Sequence, residues 1–198
     1  MVPGMQAAFP AFRLTICGIP ELGQHRAAGV THVLSITDPD HPELHEFFDF
    51  APHRRLALRF HDIIDATPGQ LAPARADVER LLTFGRDLTS TRDSHLLVHC
   101  HAGVSRSTAS ATLMLAQASP DRTAREVLDH VAQIRPRAWP NLRILELGDD
   151  LLERNGDIVA AASAVYRRVL DREPYFQEAM IDGGRQREVT AALNVPTR

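Results

Sequence analysis

Three segments of different character follow one another near the middle of the chain and constrain its local fold. The apolar residues of 96–98 are typical of the end of a buried strand, and the small residues of 107–115 are typical of a mostly buried helix. A short loop with one glycine joins them. A strand, a tight loop and a helix start direct several backbone N–H groups to one point, where the helix dipole favours negative charge. The segment therefore predicts a cradle for an anion.

Two chemically active side chains lie at the ends of this loop. Cys100 opens it and Arg106 closes it, with five residues between them. A thiol at a helix N-terminus loses its proton easily, and the thiolate is the nucleophile. A guanidinium group facing the same point can bind two oxygens of a phosphoryl group at once. The two residues together predict nucleophilic attack by a thiolate on phosphorus.

Strands alternate with helices in the rest of the chain. Strand patterns occur at 12–17, 31–36 and 55–60, and longer helical patterns occur at 74–89, about 119–135, 142–154 and 157–170. Such alternation predicts an α/β domain with a largely parallel sheet. We expect one domain over residues 10–171, because no internal repeat or second domain is visible. Residues 172–198 are polar and contain a Gly pair, so they predict a loose tail or one short added helix.

The loop sequence resembles a known signature. His99-Cys100-x5-Arg106-Ser107 is similar to the signature of the cysteine-based protein tyrosine phosphatases. The residues of 102–107 resemble most the dual-specificity branch of that superfamily and its small bacterial relatives. The match is specific because it includes the His before the Cys, the Gly within the loop and the Ser after the Arg.

The resemblance covers roughly residues 10–155, because the segment 139–141 resembles the Pro-Asn segment that follows the signature in the dual-specificity branch. It implies a central, mostly parallel sheet with helices on both faces. It also implies that the phosphate-binding loop lies between a buried strand and a helix, at the carboxyl end of the strand.

The resemblance implies a role for each residue of the signature. Cys100 is the nucleophile, and Ser107 donates a hydrogen bond to its sulfur when the sulfur leaves phosphorus. His99 orients the loop from behind. The phosphoryl oxygens are bound by the loop and its guanidinium group, that is by His101, Ala102, Gly103, Val104, Ser105 and Arg106. The reaction that these roles describe needs no metal and no organic cofactor.

The general acid has two candidates upstream of the signature. A predicted strand ends at Phe60, and Asp62 follows it by two residues, as the acid does in the family. Alignment by the start of the next helix favours Asp65 instead, and its separation of 35 residues from Cys100 is closer to that of the compact members than the 38 residues of Asp62. We prefer Asp62 and keep Asp65 as the second candidate. Either could also be a simple turn residue.

The variable loop residues indicate the kind of substrate. His101 is the one potential cation between Cys100 and Arg106, whereas relatives that cleave phosphoinositides often carry Lys there. We therefore expect a phosphorylated protein or an aryl phosphate as substrate. Phosphotyrosine is the first expectation, with phosphoserine and phosphothreonine as further targets of a shallow pocket.

Other functions fit parts of the same pattern. The sequence His99-Cys100-His101 could bind a metal, but three adjacent ligands cannot turn to one ion without a strained loop. A catalytically weak phospho-binding module would keep Arg106 and lack a usable acid. A sulfur transferase or an arsenate reductase would also use a Cys loop with an Arg, and a small-molecule phosphomonoesterase is a further alternative.

Composition excludes several other classes. The net charge of −3 predicts no nucleic-acid surface, and no apolar run reaches the length of a membrane span. Two Cys in 198 residues do not make a disulfide framework and suit a reducing compartment. The N-terminus shows no secretory signal, so we expect a cytoplasmic protein. All 22 Lys and Arg positions are Arg, which favours a GC-rich bacterial genome.

Overall fold

The computed structural model describes residues 9–10, 12–91 and 93–196. In this part of the chain, four strands form one sheet: β1 (Arg13–Gly18), β2 (His32–Thr37), β3 (Arg54–Arg59) and β4 (His95–Cys100). They are all parallel and lie in the order β1-β4-β2-β3. The predicted α/β class with a parallel sheet is therefore confirmed.

Seven α-helices and two 3-10 helices surround the sheet in the described residues. The α-helices are α1 (Arg75–Thr89), α2 (Arg106–Ala118), α3 (Ala124–Ile134), α4 (Leu142–Leu151), α5 (Asp157–Arg172), α6 (Phe176–Asp182) and α7 (Gln186–Leu193). The 3-10 helices are Ile19–His25 and His45–Asp49. None of the helices among residues 9–196 that the structure describes is both long and apolar enough to cross a bilayer.

The side chains of β4 alternate between two apolar clusters, one on each face of the sheet. Leu96 and Val98 belong to the larger cluster, to which residues of α1, α2, α3, α4, α5 and α7 contribute. Leu97 belongs to the smaller cluster, which residues such as Leu22 and Phe47 of the two 3-10 helices complete. Helices therefore cover both faces, as predicted, but the second face is covered by the two short 3-10 helices.

The arrangement of the strands brings three loops to one edge of the sheet. Cys100 ends the central strand β4 and is in register with Gly18 at the end of β1. The chain after β2 begins with Asp38, and the chain after β3 begins with Phe60. Because parallel strands end at the same edge, the predicted nucleophile lies beside both of these loops.

The C-terminal segment is more ordered than the sequence predicts. Where we expected a loose tail or one short helix, the structure has the two helices α6 and α7, and α7 packs on α5. Val189 and Ala192 of α7 are fully buried in the larger cluster. The sequence conceals this packing because α7 is only eight residues long, and because two charged residues of this segment, Arg185 and Glu188, are themselves buried.

Candidate active site

Cys100 lies at the start of a tight loop that ends at the N-terminus of α2. The side chain is buried, and its Sγ lies 3.2 Å from Oγ of Ser107 in the first turn of the helix. The loop packs against the end of β1, where the N–H of Ile19 donates to the carbonyl of His101 over 2.9 Å. Gly103 in the loop has a φ of +69°, a conformation that glycine adopts without strain.

Arg135 holds the outer side of this loop. Its Nε donates to the carbonyl of Gly103 over 3.1 Å, and its Nη2 donates to the carbonyl of Ala102 over 2.9 Å. The C=O and N–H of a trans peptide point in opposite directions. The N–H groups of Gly103 and Val104 therefore point away from Arg135, into the concave side of the loop that begins at Cys100.

A partly buried ion pair fixes Arg135 in this position. Glu21 accepts from Nη1 and Nη2 of Arg135 over 2.8 and 2.7 Å, and its Oε2 also accepts from the N–H of Gly18 over 2.6 Å. The hydrogen bond from Arg135 holds the pKa of Glu21 below its ordinary value. Sequence reasoning missed both residues, because they lie far from the signature along the chain and carry no motif of their own.

Arg106 is buried and points toward the ends of β2 and β3. Its Nη1 donates to Oδ1 of Asp38 over 2.6 Å and to the carbonyl of Phe60 over 2.6 Å. Its Nε is buried and has no hydrogen-bond partner among the described residues. A buried guanidinium nitrogen without a partner is costly, so this donor is available to an oxygen of a bound anion.

His101 and His41 lie at the rim of the loop, with ring centroids 5.0 Å apart. The N–H of Asp38 donates to Nε2 of His101 over 3.4 Å. Burial, and then the charge of Arg106, lower the pKa of His101, so its ring is neutral at pH 7.

The structure distinguishes the two candidate acids by position. Oδ1 of Asp62 accepts from Oγ of Ser105 over 2.7 Å, so this carboxylate touches the loop between β4 and α2. Oδ1 of Asp65 instead accepts from Nη1 of Arg187 over 3.1 Å, and 59% of the Asp65 side chain is exposed. Asp62 lies at the loop, whereas Asp65 lies on the surface in a salt bridge.

Two further donors reach Asp62 from distant segments. Nδ2 of Asn141 donates to Oδ1 of Asp62 over 2.8 Å, and Nη1 of Arg185 lies 3.2 Å from the same oxygen. Nη2 of Arg185 also donates to Oε1 of Glu188 over 2.6 Å. Burial alone would lower the pKa of Arg185, but the carboxylates of Glu188 and Asp62 outweigh it and raise that pKa. Sequence reasoning missed Arg185 and Glu188, which it assigned to a tail.

The remaining predicted site residue, His99, lies behind the loop. His99 is fully buried on the opposite face of the sheet, and its Nε2 lies 2.7 Å from Oγ of Ser35. Burial lowers its pKa to about 3, so the ring is neutral. The loop-orienting role of His99 stays a prediction.

Cys17 is a second free, buried thiol, and burial, with Glu21 nearby, raises its pKa to about 12. Cys17 is therefore a thiol, and not a nucleophile, at neutral pH.

Comparisons with known proteins agree with this geometry. No family model matches the chain. The human protein phosphatase Slingshot homolog 3 is 31% identical over 139 residues, which cover 68% of this chain. The chain spans only 18% of the length of that relative.

Solved structures show the same fold. Human DUSP28 superimposes with a TM-score of 0.55 and 19% identity, over 76% of this chain and 96% of that one. Tk-PTP in its active form gives a TM-score of 0.51 and 22% identity, over 78% and 99%. DUSP15 gives 0.51 and 22%, over 80% and 91%. By sequence match and by fold, the chain is therefore similar to the dual-specificity and cysteine-based protein tyrosine phosphatases.

Proposed function

We propose that the chain is a cysteine-dependent protein phosphatase that hydrolyses phosphotyrosine through a phosphocysteine intermediate. The observation that carries this proposal is the meeting of three groups at one loop. The loop begins with the thiol of Cys100 and ends with the guanidinium of Arg106, and Ser105 within it donates to the carboxylate of Asp62 over 2.7 Å. A nucleophile, a cation for the phosphoryl oxygens and an acid for the leaving group are the groups that this reaction needs.

In the first step, the thiolate of Cys100 attacks phosphorus and the bond from phosphorus to the ester oxygen breaks. Asp62 gives its proton to that oxygen, and the alcohol or phenol departs. The N–H groups of Gly103 and Val104, with Nε of Arg106, hold the non-bridging oxygens. Fixed donors that face the developing charge lower the barrier because they need no reorganisation during the reaction.

In the second step, water attacks the phosphocysteine and transfers a proton to Asp62, which is now a carboxylate. The bond from sulfur to phosphorus breaks, inorganic phosphate forms and the thiolate returns. Ser107 stabilises the departing sulfur, with its Oγ 3.2 Å from Sγ of Cys100. Neither step requires a metal or an organic cofactor.

The loop chemistry supports a phosphoprotein or aryl phosphate substrate. His101 is neutral at pH 7 and the chain contains no Lys, so the loop lacks a second cation for a polyphosphorylated lipid. Phosphoserine and phosphothreonine belong to the proposal as further substrates. A small-molecule phosphomonoesterase is the alternative within the enzyme class, and a catalytically weak phospho-binding module is the alternative outside it.

The cellular setting is also a proposal. The two free thiols, Cys17 and Cys100, suit the reducing cytoplasm, in which a thiolate enzyme stays active. The exclusive use of Arg among the basic residues supports a bacterial source.

Hydrolysis of p-nitrophenyl phosphate under reducing conditions tests the proposal. We expect turnover by the wild type, inhibition by vanadate and no turnover by Cys100→Ser. Asp62→Asn should lose about a hundredfold or more in kcat, since general acids contribute factors of this size. Asp65→Asn is the matched control and should retain wild-type activity.

Two results would change the proposal. An inactive wild type, or a Cys100→Ser variant as active as the wild type, would favour the phospho-binding module. A large loss in Asp65→Asn with little loss in Asp62→Asn would move the acid role to Asp65.

A further inference from the structure

We infer that Arg185, next to the C-terminal helix α7, is a positioning residue that aims the proton of Asp62 at the leaving group. This inference rests on the proposed phosphatase function and extends it to a segment outside residues 10–171. Three sets of contacts support it. Within the described part of the chain, only one oxygen of Asp62 accepts hydrogen bonds, Arg185 donates to Ser105 as well as to Asp62, and Glu188 binds both Arg185 and the segment that follows Asn141.

All the donors to Asp62 meet at one of its two oxygens. Oδ1 accepts from Ser105, Asn141 and Arg185 over 2.7, 2.8 and 3.2 Å. Oδ2 makes no hydrogen bond to any residue that the structure describes. Amide and guanidinium nitrogens only donate, so the proton of the carboxylic acid cannot lie on Oδ1 between them. The proton therefore lies on Oδ2, and the side chain is partly exposed, so this oxygen can face a substrate.

Arg185 also determines the direction of the Ser105 hydroxyl. Its Nη2 donates to Oγ of Ser105 over 3.1 Å, while its Nη1 donates to Asp62. Because Arg185 has no acceptor, the hydroxyl must accept from Arg185 and give its own proton to Asp62. A forked guanidinium can make both contacts at once, which the single ammonium group of Lys cannot do in the same geometry. Arg185 thus acts on Asp62 directly and through Ser105.

Glu188 fixes Arg185 and a second donor together. Its side chain is fully buried, and its two oxygens accept from Nη2 of Arg185 over 2.6 Å, Nε1 of Trp139 over 2.5 Å and the N–H of Leu142 over 2.8 Å. Leu142 follows Asn141 directly, so Glu188 ties α7 to the segment that carries another donor to Asp62.

Asn141 is itself held by the helix that it begins. Its Oδ1 accepts from the N–H of Ile144 over 3.1 Å, and this cap turns its Nδ2 toward Asp62. The contacts of Arg185, Glu188 and Asn141 form one connected network around Oδ1. We therefore propose that the catalytic unit includes α7, with the side chain of Arg185 only 6% exposed between α7 and the loop.

The leaving group provides a readout that distinguishes positioning from general stability. p-Nitrophenol is a much stronger acid than phenol, so its departure depends less on protonation by Asp62 than the departure of phenol does. We would measure kcat/KM of the full chain on p-nitrophenyl phosphate and phenyl phosphate. The variants are Arg185→Met, Arg185→Lys and Asp62→Asn, and thermal unfolding establishes which of them fold.

Arg185→Met should lose about tenfold more on phenyl phosphate than on p-nitrophenyl phosphate, in the same direction as Asp62→Asn and by a smaller factor. Arg185→Lys should change the ratio of the two kcat/KM values in the same direction. Because this variant keeps the positive charge beside Glu188, it tests the positioning role even if Arg185→Met does not fold. Arg187→Met is the matched control two residues along the chain: Arg187 contacts Asp65 and Glu146, and its variant should keep the wild-type ratio.

Two results would overturn the inference with the phosphatase function intact. One is an equal loss on both substrates in the Arg185 variants, which would indicate a purely structural role. The other is wild-type activity on both substrates in both Arg185 variants. A wild type that is inactive on both substrates would instead remove the proposed function, and the positioning role with it.

Discussion

Gly103→Ala tests whether the phosphate-binding loop is packed on β1 as the structure describes. A Cβ at residue 103 would lie 2.4 Å from the carbonyl carbon of Cys17 and 2.6 Å from both the oxygen of Cys17 and the N of Gly18. These are backbone atoms of a strand that pairs with β4, so they cannot rotate away. The loop must therefore move off β1 to accommodate one methyl group, which would disturb the N–H groups that face the anion.

The expected loss of stability in Gly103→Ala has two contributions, and a substitution at Gly69 measures one of them alone. A non-glycine residue at a positive φ costs about 1–2 kcal/mol, and forcing a methyl group into a filled space costs about 1–3 kcal/mol more. Gly69 has a φ of +75°, and a Cβ added there would meet no described atom within 4 Å, so Gly69→Ala carries the first cost alone. We expect Gly103→Ala to lower the free energy of unfolding by about 2–5 kcal/mol, and Gly69→Ala by about 1–2 kcal/mol.

Urea denaturation measures both free energies, and a thermal shift with tungstate measures how well each folded variant binds an oxyanion. Gly103→Ala should lose most of the tungstate shift, whereas Gly69→Ala should keep it. If Gly103→Ala is no less stable than Gly69→Ala, or if it binds tungstate as the wild type does, the loop does not pack on Cys17 and Gly18 in the way described.

Three further predictions concern residues around the loop. Asp38→Asn should bind tungstate roughly fivefold more tightly by calorimetry, because a carboxylate that competes with the anion for Arg106 is removed, an effect of about 1 kcal/mol; unchanged or weaker binding would contradict this. Ser107→Ala should slow breakdown of the intermediate about tenfold, since the sulfur of Cys100 loses a donor, and rapid-quench kinetics should show a burst of product that the wild type lacks. Burial lowers the pKa of His99 to about 3 from the ordinary value of 6.5. Below pH 6.5 the unfolded chain therefore takes up a proton that the folded chain does not, and stability falls by about 1.4 kcal/mol per pH unit. Urea denaturation at about pH 7 and about pH 5 should show a decrease about 2 kcal/mol smaller in His99→Asn than in the wild type, and equal decreases would refute the assignment.

The sheet and the signature could be predicted because their signals are local. The apolar run of 96–98 lies in β4, which is buried at all six positions, and the small residues after Arg106 form the buried helix α2. Hydrophobic periodicity reports the burial of neighbouring residues, and the signature concentrates its reactive groups within a few positions. For these elements the sequence alone was sufficient.

The ion pairs that support the loop could not be predicted in this way. Glu21 and Arg135 are separated by 114 positions, and Asp62 and Arg185 by 123. Each is of a residue type that is almost always at the surface, so its partial or full burial becomes visible only when its partner is known. Asp62 and Asp65 illustrate the same limit, because two alignments were possible and only the contact between Asp62 and Ser105 distinguishes their positions.

These two ion pairs contact the loop at different residues. Glu21 and Arg135 pull the carbonyls of the loop outward, so its N–H groups face the anion. Arg185 donates to Ser105, which in turn donates to Asp62. A catalytic geometry is maintained only when the residues that carry it are themselves held by packing and hydrogen bonds. Since Arg185 is paired with a fully buried carboxylate of α7, loss of that helix would leave a buried charge without its partner and release the acid at the same time. On the proposed mechanism, the stability of the C-terminal helix and proton transfer by Asp62 therefore depend on the same buried pair.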